Sequence, residues 1–419
     1  MVYVLNKDGH PLMPTENHGK VRILLKQKKA KVIKRCPFTI QLVYNSKNYT
    51  QNITLGVDSG SKHIGLSATT KEKELYSADV ELRTNVSELI STRCESRKSR
   101  RSRKTRYRKP RFMNRVAHKK KRWLAPSIVQ KIQCHLTVIE KVHKILPITN
   151  IIIETASFDI QKIKNPNIAG KEYQEGEQLG FWNIREYVFF RDNYTCQCCG
   201  GKSKDKILNV HHIESRKVGG DAPNNLVTLC ETCHNNYHKG IVKLPEKIQR
   251  GMKFNHTAFM GIMRKNLYNE LKAIYPDVKN TYGYITKNVR ITNKLPKTHY
   301  IDAKCISGNP LAKPLGYYFY QKKVRCHNRK IHKSKIIKGG RRKLNQSPYI
   351  IKDFRLFDKV EYFGKEYFIF GRRKTGFFDI RTLDGKKINK GSLSYKKLKL
   401  LEKRKNYLTE RRKDCSSHH

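Results

Sequence analysis

ITLGVDSGSKHIGLSAT, residues 53–69, decides the fold. Ile53, Leu55 and Val57 alternate along one strand, Ser59 to His63 make a turn, and Ile64 to Ala68 begin a return strand. Period-two alternation across a Ser/Gly turn predicts a β-hairpin. Asp58 closes the first strand where the turn begins. Taken alone, an aspartate there is as readily a turn residue as a functional carboxylate.

Two more acidic positions lie far downstream. A short buried-type strand, Asn150 to Ile153, ends on Glu154, which by itself suits a helix cap. His299 and Asp302 stand at i, i+3 in THYIDAKCIS, so on a helix they share a face. In this order, GVDSGSKHIG, IIIETASFD and HYIDA resemble the RuvC branch of the RNase H-like fold. That resemblance implies a nuclease core in which Asp58, Glu154 and Asp302 converge on two Mg²⁺ ions about 4 Å apart. One ion would activate water and the other would stabilise the departing oxygen, with His299 as proton carrier or base. Lys62 and His63 line the turn without an assigned role, and Asp159 reads as structural.

Between these segments sits a second constellation. Cys196-x-x-Cys199 and Cys230-x-x-Cys233 offer four thiolates, the ligand set of a closed structural Zn²⁺ site. On the cysteines alone a zinc ribbon without catalysis is the favoured reading, and Cys198 is a spectator. Between and just after the pairs stand Val210-His211-His212-Ile213, Gly219-Gly220-Asp221, Asn224-Asn225-Leu226, His234 and His238. With the lead-in RDNYTCQCCG, residues 182–240 resemble the HNH endonuclease family. By that resemblance His212 is the general base, oriented by Asn225. His211, His234 and His238 then hold one catalytic Mg²⁺. A neutral histidine accepts a water proton near physiological pH, which suits phosphodiester hydrolysis. A histidine beside a Cys-x-x-Cys pair also serves as a spare zinc ligand, and His238 is the position where family members vary most.

Charge narrows the partner. The 419 residues hold 89 Lys+Arg against 34 Asp+Glu, a formal +55. Self-repulsion of that size destabilises a compact chain unless a polyanion neutralises it, which favours nucleic acid over a membrane surface. The opening MVYVLNKDGHPLMP holds no apolar run of signal-peptide length, and no stretch is apolar enough to span a bilayer. Four of the eleven cysteines stand as paired metal-site ligands and the rest are scattered, which indicates a reducing compartment, the cytoplasm.

Read along its length, the chain predicts a split α/β multi-domain protein. Residues 1–52 form a small α/β module containing the run His10 to Pro14, a basic amphipathic stretch from Val21 to Lys34, and a β-like run from Phe38 to Tyr44. Residues 53–92 carry the first core segment, and 93–122 a basic helix broken at Pro110. That helix holds Arg97, Arg100, Arg101, Arg103, Arg106, Arg108, Arg111 and Arg115, candidates for phosphate contact; a disordered basic arm is the other reading. The second core segment spans 123–160, with a helix opened by Pro126 and apolar at Ile128, Ile132, Leu136, Ile139 and Val142. A linker at 161–181 leads to the HNH-like unit at 182–240, then 241–314 carries a helix and the third core segment. Residues 315–419 read as a small β domain contacting RNA and a target-adjacent motif.

This order, with HPLMP near the start, resembles the IscB family of transposon-encoded RNA-guided nucleases, over residues 1 to about 310. The resemblance implies a ribonucleoprotein of one chain per long structured guide RNA (omega RNA) acting on double-stranded DNA. HNH would cut the guide-paired strand and RuvC the displaced one, with base pairing carrying sequence choice. A protein-only HNH endonuclease or a non-catalytic zinc-containing RNA-binding protein are the alternatives.

Overall fold

The computed structural model describes residues 1–101, 123–155, 178–251, 255–326 and 348–414. In chain order its elements are β1 (Tyr3–Leu5), α1 (His18–Lys26), β2 (Ala30–Lys34), β3 (Thr39–Leu42), β4 (Thr54–Ser59), β5 (His63–Thr69), β6 (Glu74–Glu81), α2 (Val86–Arg101), α3 (Pro126–His143), β7 (Asn150–Glu154), α4 (Ile184–Arg191), β8 (Leu208–His212), α5 (Arg216–Gly219), β9 (Leu226–Cys230), α6 (Glu231–His238), α7 (Asn255–Ile274), β10 (Val278–Thr281), α8 (Gly283–Thr292), α9 (His299–Ile306), β11 (Tyr317–Lys323), β12 (Lys359–Tyr362), β13 (Lys365–Arg372), β14 (Phe377–Arg381), β15 (Leu393–Ser394), β16 (Lys399–Glu402) and β17 (Tyr407–Lys413). They divide into two units, Met1–Ser157 with Met260–His419, and Phe158–Phe259. The architecture is mixed α/β. Among the described residues no helix is long and apolar enough to cross a membrane.

The first unit is built on the hairpin at 53–69. β4 and β5 pair antiparallel with Asp58 opposite Gly65, and β6 continues the meander. On its other side β4 runs parallel to β7, with Val57 opposite Ile153, and β10 extends that parallel edge. The full order is β10-β7-β4-β5-β6-β11-β17. Because two parallel strands lie side by side, Asp58 and Glu154 both arrive at the same end of the sheet. Leu55, Val57, Ile64, Leu66, Ala78 and Val80 are fully buried, so this centre of the sheet forms the core.

Helix α9 packs on β4 and β5 at a distance set by two glycines. A Cβ on Gly56 would stand 2.0 Å from the Ala303 carbonyl oxygen, and one on Gly65 would stand 1.8 Å from that of His299. Only hydrogens at both positions let the helix backbone approach this closely. Helix α3 carries Ile128, Ile132, Ile139 and Val142 into the core as its period of 3.6 requires, with Leu136 half-buried.

Three departures from the sequence reading have local causes. The amphipathic stretch from Val21 to Lys34 is not one element: α1 ends at Lys26, Lys28 adopts a positive φ of 57°, and β2 follows. The stretch before Thr298 holds β10 and a further helix, α8. The 315–419 segment divides between two sheets. Its middle forms the order β15-β14-β13-β12-β16 around Val360, Ile369, Phe378 and Ile380, while β11 and β17 return to the large sheet.

The second unit is small. β8 and β9 form an antiparallel pair with His211 opposite Val227 and His212 opposite Leu226, followed directly by α6. Arg191 fastens α4 to this pair by donating to the carbonyls of Pro223 and Leu226, each at 2.8 Å. The linker expected at 161–181 falls largely outside the described residues, as does Asp159.

Candidate functional site

The first unit gathers four of the predicted residues. Asp58 ends β4, Glu154 ends the neighbouring β7, and His299 and Asp302 lie in the first turn of α9. The Thr298 hydroxyl caps that helix at the Ile301 N–H. The glycine-mediated docking brings His299 Nδ1 to 2.7 Å from Asp58 Oδ2. Burial and then the Asp58 charge raise the Glu154 carboxyl pKa, against the opposing pull of Arg264. Asp302 is raised by the same two causes, opposed by Arg290 and His299. Carboxylates that raise one another's pKa in this way share one electrostatic pocket.

Sequence reasoning did not single out the cations that neutralise them. Arg264 on α7, itself buried, donates to Glu154 Oε1 at 3.1 Å and to the Ser59 carbonyl at 3.1 Å. Arg290 on α8 lies 3.0 Å from Asp302 Oδ1. Nor was His63 assigned a role: its ring stacks on His299 at 5.0 Å with 5° between planes, and its Nδ1 meets Asp79 Oδ1 at 2.9 Å. No composition signal marks these partners, because each lies on a different element.

The oxygen donors of Asp58, Glu154 and Asp302 suit Mg²⁺. They are not among the sets whose ligand atoms all lie within 4.8 Å of one another.

The second unit has a different donor chemistry. Strand alternation turns His211 inward and leaves His212 half-buried on the opposite face. His234 and His238, one turn apart on α6, place their Nε2 atoms 3.3 Å from each other, and the His211 ring centre lies 5.2 Å from each of theirs. Their ligand atoms form one set within 4.8 Å. Burial, followed by the His234 and His238 charges, holds His211 down at about 4, so its imidazole is neutral. Its buried Nε2 has no hydrogen-bond partner. Three imidazoles gathered in one set, one of them with an orphaned nitrogen, fit a metal ion. Nitrogen donors favour Zn²⁺, Ni²⁺ or Fe²⁺, whereas Mg²⁺ prefers oxygen, so the Mg²⁺ expected at this position does not match the donors present.

His212 Nε2 lies 2.9 Å from Asp221 Oδ1, and Arg216 grips the other carboxylate oxygen at 2.8 Å. Among the described residues, Asn225 makes no hydrogen bond to the His212 ring. Its fully buried amide accepts from the Glu214 N–H and donates to the Glu214 and Gly220 carbonyls. It therefore holds the loop between His212 and Asp221, the residue whose carboxylate meets His212 Nε2.

Cys196, Cys199, Cys230 and Cys233 also form one set within 4.8 Å. The Cys199 and Cys230 sulfurs are 3.9 Å apart, close to the roughly 3.8 Å edge of a tetrahedron with 2.3 Å zinc–sulfur bonds. The Ser203 hydroxyl bridges these two sulfurs and is the first cause holding the Cys199 thiol down at about 6. The cluster has the ligands and spacing of a zinc site.

Of the predicted arginines, Arg97 is exposed on α2 and Arg100 and Arg101 lie in its last turn. Arg103, Arg106, Arg108, Arg111 and Arg115 lie outside the described residues.

Comparison with known proteins finds two family matches. Residues 2–176 match the RRXRR protein family and residues 196–240 match the HNH endonuclease family. Anaredoxin from Nostoc sp. is 37% identical over 54 residues, 13% of this chain and 68% of that protein. Among solved structures, Streptococcus thermophilus Cas9 in complex with the GGAA PAM superposes with a TM-score of 0.35 at 14% identity, covering 50% of this chain and 30% of that one. The same protein with the AGAA PAM gives 0.34 at 13% identity, covering 59% and 32%. The chain thus spans about a third of the length of those structures.

Proposed function

We propose that this chain, whose residues 196–240 match the HNH endonuclease family, is an RNA-guided DNA endonuclease of the IscB type. The observation that carries the reading is the presence of two donor sets of unlike chemistry in separate units. One consists of imidazoles beside a His–Asp pair, the other of carboxylates on a sheet end. A single site bound to one duplex has one orientation and cuts one strand; a second site gives access to the other.

In the second unit, His212 takes the proton of the attacking water. Asp221 holds its ring and stabilises the imidazolium that results, and Asn225 fixes the loop that carries Asp221. His211, His234 and His238 would hold a divalent ion, whose chemistry is to polarise the scissile phosphate. The four cysteines hold Zn²⁺ as a staple. In the first unit, Asp58, Glu154 and Asp302 form the RuvC-type site on an RNase H-like core, and would bind Mg²⁺. His299, held by Asp58 and backed by His63, carries a proton there. Arg264 and Arg290 position Glu154 and Asp302.

The guide-RNA part of the proposal rests on the +55 charge and the arginines that begin along α2. A bound RNA neutralises that charge, and an arginine helix grips duplex phosphates without reading bases. Residues 1–52 and 315–419 are assigned to RNA and target-adjacent contacts, and the reduced thiolates suit the cytoplasm. The test is RNA dependence. The purified protein should carry RNA, and Mg²⁺-supported cleavage of its matching DNA should vanish after RNase treatment and return when that RNA is restored. Full cleavage by RNA-free protein would reduce the account to a protein-only HNH endonuclease.

A further inference from the structure

A cavity of about 500 Å³ opens in the first unit among β2, the end of α3, β12 and the β16–β17 connection. Seven lysine or arginine side chains line it against one carboxylate, Glu402. Most of these cations are already occupied. Lys144 pairs with Glu140 at 2.6 Å, Lys359 pairs with Glu366, and Lys405 meets Glu402 at 2.5 Å. Lys403 donates to the Asp353 carbonyl, and Arg404 to the Cys326 carbonyl and the Tyr349 hydroxyl.

Lys34 and Lys141 are the exceptions. Neither has a carboxylate or hydrogen-bond partner among the described residues, and Lys141 Nζ rests 3.8 Å from the centre of the Tyr407 ring. Burial first, then the charge of Lys405, brings the Lys34 pKa down to about 8. Burial first, then the charge of Lys34, brings Lys141 down to about 7. Two half-buried ammonium groups that repel each other across a cavity are unfavourable until an anion sits between them. The cavity also exceeds a bare inorganic anion in size, and Tyr76, Phe357 and Phe368 add aromatic lining that phosphate alone would not use.

We infer that this cavity binds a nucleotide, with its phosphate between Lys34 and Lys141 and its base or sugar against the apolar wall. The nucleotide comes either from a bound RNA chain or from free mononucleotide. Only the RNA source rests on the guided-nuclease reading; the anion preference follows from the cavity itself.

The experiment compares the full-length protein, stripped of RNA, with the Lys34→Met/Lys141→Met double variant and with Lys141→Arg. Adenosine monophosphate and inorganic phosphate are titrated calorimetrically, and labelled oligouridine is titrated by filter binding across a salt series. Removing both ammonium groups should weaken the nucleotide probe about tenfold or more. For oligouridine it should also flatten the log–log salt slope by about 0.7, one phosphate's worth. The double variant should melt no lower than the parent, because two repelling charges have gone, and Lys141→Arg should keep its affinity. Loss of monophosphate binding assigns the site to free nucleotide. Loss of oligouridine affinity, in a protein whose parent ignores the monophosphate, assigns it to an RNA phosphate. Unchanged binding of both probes overturns the inference. So does inorganic phosphate binding as tightly as the monophosphate. Weaker binding shared by Lys141→Arg with a lowered melting point does the same. The monophosphate arm requires neither guide nor cleavage, so its outcome is independent of whether the chain is RNA-guided.

Discussion

Gly65→Ala places a methyl group where the His299 carbonyl oxygen now lies 1.8 Å away. A carbon–oxygen contact needs roughly 3.3 Å, so the first turn of α9 must withdraw by about 1.5 Å. His299 and Asp302 both ride on that turn, and the 2.7 Å bond from His299 Nδ1 to Asp58 Oδ2 would open to about 4 Å, beyond hydrogen-bond range. Overpacking of this kind costs about 1–3 kcal/mol, and a misplacement near 1 Å at a reacting group costs about 100-fold in rate. The expected result is a chain that stays folded with a lowered melting point. Its cutting of the displaced strand falls about 100-fold, and its cutting of the guide-paired strand is unchanged. Strand-specific end labels on a matched DNA duplex read both rates in one reaction. Gly261→Ala in α7 is the control: a Cβ there meets nothing within 4 Å. Helix propensity then gives up to about 1 kcal/mol of added stability with both rates intact. If Gly65→Ala cut the displaced strand at the parental rate, the docking of α9 would not assemble a catalytic site.

Cys196→Ser should release tightly bound zinc and unfold the second unit alone. Structural zinc contributes about 10 kcal/mol or more in small zinc-folded peptides; elemental analysis and limited proteolysis check the loss and its confinement. Glu74, buried and hydrogen-bonded by Ser67, has a carboxyl pKa raised above its ordinary 4.5, chiefly by burial. The folded chain therefore holds that proton more tightly than the unfolded chain, and stability drops as pH rises from about 4.5 through the raised value. Glu74→Gln should raise the melting temperature at pH 7 and leave it nearly unchanged at pH 4, measured by calorimetry in both buffers.

The readable parts of the fold were those with local periodicity. The 53–69 hairpin, the apolar stripe of α3 and the strand ending on Glu154 each carry their pattern within one short segment. β17 does not: YLTERRK is polar because, among the described residues, it lies at the edge of the seven-stranded sheet and pairs with β11 alone. The histidines and cysteines of the second unit were legible because their spacing maps directly onto a hairpin and the helix that follows it. Their partners were not. Asp221 reaches His212 across a loop, Arg264 and Arg290 meet Glu154 and Asp302, and His63 stacks on His299, each from a separate element. Such contacts are set by how elements pack, and one-dimensional spacing holds no trace of them. The role of Asn225 shows the same limit, since the motif marks the residue but not whether its amide faces the imidazole or the backbone.

The central claim is that two sites divide the two DNA strands. The direct measurement is cleavage of a strand-labelled duplex by the RNA-loaded protein carrying His212→Ala, Asp58→Ala, or both. His212→Ala should leave the guide-paired strand whole and nick the displaced strand, because the base proposed for the second unit has gone. Asp58→Ala should do the opposite, because Glu154, His299 and Asp302 lose the carboxylate they converge on. The double variant should bind target and cut neither strand. Cleavage of both strands by Asp58→Ala would contradict the account, leaving the acidic cluster a structural feature and the imidazole site the sole nuclease.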